Sequence, residues 1–154
     1  MTMLDDTITL GAARDWLRDR LDDGERCPCC TQLAKTYRRR IHATLAKALI
    51  TMYQHGGTKQ FVHAPSLPGD THEISQLAWW GLIEEETVRR QDGGRAGWWR
   101  VTFDGQAFVL GMSVVPKYAR VYDGRCLGTG GEFVTIRDCL GKRFDYLELM
   151  GGTP

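Results

Sequence analysis

The chain has 154 residues, 42% hydrophobic and 25% charged, with a formal net charge of +1. These values suit one globular domain with a small appendage, and they fall short of the strongly basic balance of a typical nucleic-acid-binding domain. The acidic start MTMLDD leads into no apolar leader, and nowhere do about 18 apolar residues run together, so the expectation is a cytoplasmic protein with no membrane partner.

In chain order, TLGAARDWLRDRLDDG places Leu10, Ala13, Leu17 and Leu21 on one stripe of an amphipathic helix that Gly24 is placed to end. After ERCPCC, the residues Leu33, Tyr37, Ile41, Leu45, Ala48 and Met52 recur every three or four positions. That spacing predicts the longest helix, about 24 residues, with Lys35, Arg39 and His42 on its opposite side. KQFVHA reads as a short strand, and FVHAPSLPGD is too broken by proline to hold a regular helix. THEISQLAWWG is helical, with Ile74, Leu77, Ala78 and Trp80 inward and His72, Ser75, Gln76 and Trp79 nearer the other side. Gly81 supplies the positive φ of a helix C-cap, after which Leu82 and Ile83 start a strand. LIEEETVRRQ and AGWWRVT flank DGGR, a tight-turn signal, and so form a hairpin. Thr102 caps a short helix in FDGQAFVLG. Further on, VPKYARVYDGRCL and EFVTI read as a second hairpin, with IRDCLG and DYLELM as short helices capped by Thr135 and Asp145. One member of each pair Trp79-Trp80 and Trp98-Trp99 is expected to be buried.

Charge is segregated along the chain. Residues 1 to 24 carry −3 and residues 70 to 87 carry −5, whereas residues 25 to 55 carry +5 and residues 88 to 100 carry +3. A near-neutral chain so divided can still present a basic face. HExxH, GxSxG, P-loop and DxD spacings are absent, and GGTKQ and GTGGE read as turns, so a non-enzymatic protein is expected.

The order of helix, GLIE, hairpin with a Gly-rich basic tip, and a T-x-x-G-x-x-F helix resembles a winged helix-turn-helix domain. The matching stretch is LAWWGLIEEETVRRQDGGRAGWWRVTFDGQAF. The whole chain also resembles small actinobacteriophage proteins that join a CPxC knuckle, a basic helix, the WGLIE corner and a C-terminal LG..FDY.ELM. The winged-helix resemblance implies a DNA-binding protein of the transcription-regulator kind, and the second resemblance implies a phage origin. Residues 71 to 80 would enter the major groove, and residues 84 to 102 would form the wing on phosphates or minor groove. His72, Ser75 and Gln76 would then face bases, while Arg89, Arg90 and Arg95 on the wing and Lys35, Arg38 and Arg39 on the long helix would touch phosphates. Two-fold dimers are the usual solution for such proteins. The competing expectation is a module that captures a host protein, suggested by Glu84-Glu85-Glu86, the acid-rich first helix and the near-neutral charge.

Five cysteines in a chain with no secretory signal are expected to stay reduced. Cys27-Pro28-Cys29-Cys30 is a CxxC, half of a zinc knuckle, and Cys126 in DGRCLG is the best candidate to join Cys27 and Cys30 around a structural zinc. Cys29, Cys139, His42 and His55 are weaker candidates; inert packing and redox chemistry are the alternatives. The expected architecture is α+β: an N-terminal helix and cysteine knuckle over 1-30, a winged helix over 31-111, and a C-terminal hairpin with docking helices over 112-154.

Overall fold

The computed structural model describes residues 6–87 and 97–151, and it is a mixed helix and sheet protein. By contact density it divides into two compact units, Met1–Arg39 with Arg120–Gly128, and Arg40–Ala119 with Thr129–Pro154.

In the first unit, α1 (Leu10–Arg18) starts at Thr9, whose hydroxyl accepts the Ala12 N–H at 3.1 Å. Of the expected stripe, Ala13 and Leu21 are buried and Leu17 half-buried, but Leu10 is 57% exposed. The helix also stops at Arg18, before Gly24, which closes a following turn at φ +86°. The strands β1 (Glu25–Arg26) and β2 (Leu33–Ala34) pair antiparallel around the cysteines. The unit is tied together at Thr36: its N–H donates to the Leu21 carbonyl at 2.9 Å and its hydroxyl to the Asp22 carboxylate at 2.7 Å. Arg120 donates to the same carboxylate at 2.6 Å. Both donors, the Thr36 hydroxyl foremost, hold Asp22 below the usual carboxylate pKa.

The expected long helix is a strand followed by a shorter helix. Residues Tyr37–Arg40 form β3, and α2 runs only over Ala43–Gly56. The three-and-four spacing from Leu33 coincides with a second rhythm, Ala34 and Thr36 buried between exposed neighbours, which is the period of a strand. His42 sets the boundary: it is extended, at φ −82° and ψ 172°, and its Nδ1 accepts the Leu45 N–H at 3.3 Å. Lys35, Arg38 and Arg39 are therefore not on a helix.

The second unit is built on α2. Leu45, Leu49, Ile50 and Met52 of this helix are almost wholly buried, as are Leu77, Leu82, Val101, Phe108, Val109, Ile136 and Leu140. Fully burying each such side chain is worth roughly 1.5–3 kcal/mol. Then come β4 (Val62–His63), a 3₁₀ turn at Ala64–Ser66 with proline in its first turn, and a 3₁₀ segment at Ile74–Trp80. The short turn finds a helical place inside the proline-rich stretch because proline lacks only an N–H that a first turn does not use. The strands β5 (Ile83–Glu85) and β6 (Trp98–Val101) follow, and the sheet order is β4-β6-β5, all antiparallel. Trp80 is buried and Trp79 half-buried, but Trp98 and Trp99 are both half-buried, because their neighbour β4 is only two residues long.

After β6 comes α3 (Phe103–Val109), capped by Thr102, whose hydroxyl oxygen accepts the Gly105 N–H at 3.0 Å. A second sheet has the order β3-β7-β8, from β3, β7 (Val115–Tyr122) and β8 (Arg125–Val134), the last two joined through Asp123-Gly124. Thr135 caps α4 (Ile136–Leu140) with a reciprocal capping box to Asp138, and Asp145 caps α5 (Tyr146–Leu149). The last helix docks as expected: Tyr146 donates to the Val109 carbonyl at 2.6 Å, and Gln54 of α2 donates to the Leu149 carbonyl at 2.6 Å.

The Gly81 corner closes this unit. Gly81 stands at φ +72°, and its N–H donates to the Ala78 carbonyl at 3.0 Å. Thr102 then returns to it twice, its hydroxyl donating to the Gly81 carbonyl at 2.6 Å and its N–H to the Leu82 carbonyl at 3.0 Å. Gly105 lets α3 approach: a Cβ there would stand 2.0 Å from the Leu82 carbonyl oxygen and 2.8 Å from the Val101 side chain. Gly105→Ala should therefore destabilise the protein by about 3 kcal/mol or more, at the upper end of overpacking costs. Gly11→Ala, with nothing within 4 Å of the added Cβ, should stabilise α1 by about 0.5–1 kcal/mol. Urea melts of both variants check the pair.

Candidate nucleic-acid interface and cysteine knuckle

The segment expected to read bases winds as a 3₁₀ helix, and its buried residues Ile74, Leu77 and Trp80 recur every third position, the period of that helix. This burial pattern leaves Ser75 exposed and Gln76 half-buried, with His72 exposed just before. A cleft of about 550 Å³ opens between this segment and the hairpin, lined by His72, Ser75, Pro65, Glu85 and Trp99. The structure thus brings His72 and Ser75 to one cleft. Arg89, Arg90 and Arg95, expected on the wing, lie outside the described residues. Lys35, between β2 and β3, and Arg38 and Arg39, in β3, are exposed residues of the other unit.

Several acids near the cleft are already engaged. Glu73 accepts from His42 Nε2 at 3.1 Å, and Glu84 pairs with Arg100 across the β5-β6 ladder. Asp70 accepts the His72 N–H at 3.1 Å.

A second cleft, of about 630 Å³, was not anticipated. Arg40, His42, Lys117, Phe133, Lys142 and Arg143 line it, together with Glu132 and Asp138. Lys117 donates to Glu132 at 3.1 Å, a bond that raises its pKa, and Asp138 is committed to its capping box. Among the described residues, Arg40, Lys142 and Arg143 have no carboxylate partner within 4.0 Å. Phe133, 68% exposed, adds an aromatic surface. The run Gly141-Lys142-Arg143 was the available signal, but Arg40 is a hundred residues away in sequence and only the fold unites them. His42 belongs to this cleft and also pairs with Glu73, the residue after His72.

The cysteine knuckle is formed within the β1-β2 hairpin. The Cys27 N–H donates to the Gln32 carbonyl at 2.8 Å, and the Thr31 N–H donates to the Cys27 carbonyl at 2.9 Å. The backbone amides of Cys29 and Cys30 point at the Cys27 sulfur and hold its pKa below the ordinary thiol value. Arg26 braces the turn by donating to the Thr31 carbonyl at 3.0 Å. Thr31 itself sits at φ +62°, strained for a β-branched residue. Cys126 does not join them: its thiol donates to the Gly128 carbonyl at 3.5 Å, and among the described residues no group of three or more His, Cys, Asp or Glu is placed to hold a metal. The paired thiols fit one half of a tetrahedral thiolate site, and the expected third ligand does not complete it. Cys139 differs again, its thiol pushed up to about 11 by burial and by Asp138.

No family model, no curated protein and no solved structure matches this chain.

Thiolate is the reactive form, so Cys27 should be alkylated by iodoacetamide at near-neutral pH, well before Cys139. The Cys139 rate should keep rising with pH toward its pKa of about 11. Peptide mass spectrometry after timed labelling checks the order. Thr31→Gly should raise the melting temperature, because glycine adopts the left-handed conformation without the cost of order 1–3 kcal/mol that threonine bears.

Proposed function

We propose that the second unit contains the winged helix expected over 31–111 and that the protein binds double-stranded DNA through it, as a phage-type transcription regulator in the host cytoplasm. The observation that carries this reading is the adjacency of a segment that exposes His72, Glu73 and Ser75 with the β5-β6 hairpin that follows it at the Gly81 corner. In the winged-helix family that juxtaposition puts one element in the major groove and the hairpin tip on the neighbouring backbone. The chain joining β5 to β6 supplies Arg89, Arg90 and Arg95 for phosphates. Arg40, Lys142 and Arg143 add a basic surface in the cleft that His42 also lines. The Glu84–Arg100 pair supports the same reading, since a carboxylate held by a guanidinium repels phosphate less than a free one.

One feature favours the second reading, capture of a host protein. The 550 Å³ cleft sets Trp99 and Pro65 beside Asp70 and Glu85, chemistry suited to a basic peptide.

Fluorescence anisotropy with labelled duplexes decides between them. The DNA reading expects binding at micromolar protein in low salt, with affinity falling steeply as salt rises. Lys142→Ala with Arg143→Ala should lower the salt slope by about two, and Ser75→Ala with Gln76→Ala should change sequence preference while leaving that slope intact. Absence of binding to random and phage-promoter duplexes alike would remove this reading.

A further inference from the structure

We propose that the knuckle of Cys27 and Cys30 binds zinc by closing on the same knuckle of a second copy of this chain, so that two chains share one ion through four thiolates.

A structural zinc is held by four ligands in a closed tetrahedron, commonly from cysteine. This knuckle supplies two. The turn is already set by the Cys27–Gln32 and Thr31–Cys27 backbone bonds, so it requires little ordering on binding. Cys30 is exposed and Cys27 half-exposed. Within the chain, Cys126 is committed to its own strand and no third ligand gathers among the described residues. A tetrahedron can therefore be completed from outside, and an identical knuckle brings the two missing sulfurs in mirrored roles about a two-fold axis. Charge supports the same closure. Four thiolates around Zn²⁺ leave −2, and each copy places Arg26, bound to the Thr31 carbonyl, on the knuckle, with Lys35 lying against Gly24 at its base. Those cations offset the excess negative charge.

The test uses the full-length protein, kept reduced and loaded with zinc alone. Metal analysis should give about 0.5 zinc per chain, and light scattering after size exclusion should give a dimer that halves in mass on chelation. Cobalt(II) in place of zinc should saturate at the same ratio, with the visible absorption of a four-sulfur tetrahedral site. Cys27→Ser and Cys30→Ser should each abolish metal and dimer together, while Cys126→Ser leaves both unchanged. One zinc per monomeric chain, lost in Cys126→Ser, would overturn the proposal in favour of closure within one chain. A metal-free protein, or a dimer whose mass ignores the chelator, would overturn it as well. Should either knuckle variant fail to fold, the stoichiometry, the chelator response and Cys126→Ser still decide.

Discussion

Two carbonyls, those of Gly81 and Leu82, hold the second unit in register. Both are reached from Thr102, one by its hydroxyl and one by its N–H, and the bare face of Gly105 lets α3 settle against the second. Without that closure, the 3₁₀ segment, the hairpin and α3 would be three elements joined by short connections with no fixed angle among them. With it, Leu82, Val101 and Phe108 become mutually buried over α2. The strand order β4-β6-β5 then leaves the polar edge of the 3₁₀ segment beside the hairpin. A residue with no side chain is essential here because a backbone carbonyl cannot give way as a flexible side chain can.

The electrostatics of this unit follow from the same placement. Sequence alone puts five acids and no base between residues 70 and 87, an unpromising setting for a polyanion. Folding changes the balance locally, because Arg100 on β6 lies across from Glu84 and pairs with it, while His42 at the start of α2 hydrogen-bonds Glu73. Three cations, Arg40, Lys142 and Arg143, collect where α2 begins and α4 ends. These pairs are partly exposed, so each is worth little in stability. Their effect is on the field that an approaching ligand meets.

Much of the fold was legible because its punctuation is local. Gly81, Thr102, Thr135 and Asp145 each perform the capping role their residue type suggests, since a cap is decided by one side chain and the next few amides. The stretch from Leu33 to Arg40 was not legible. Its apolar residues satisfy helical and strand periods together, and the deciding residue, His42, is an uncommon cap. Winding was missed at Ile74 to Trp80 too, where i, i+3, i+6 burial fits a 3₁₀ helix as well as an α-helix. Of the candidate site, His72 and Ser75 could be read from one helix-like segment, whereas the basic cleft depends on residues about a hundred positions apart that no local pattern connects. The knuckle was half legible: CPCC announces a turn with two sulfurs, but which partner completes it is a question of tertiary placement.

Amide hydrogen exchange with and without a duplex of bound sequence tests the DNA-binding reading most directly, because it locates the contact as well as detecting it. That reading predicts added protection over residues 71 to 76 and 86 to 97, with a second patch at 141 to 143. Protection confined to α1 and the knuckle, or none at a duplex concentration that saturates the protein, would contradict it.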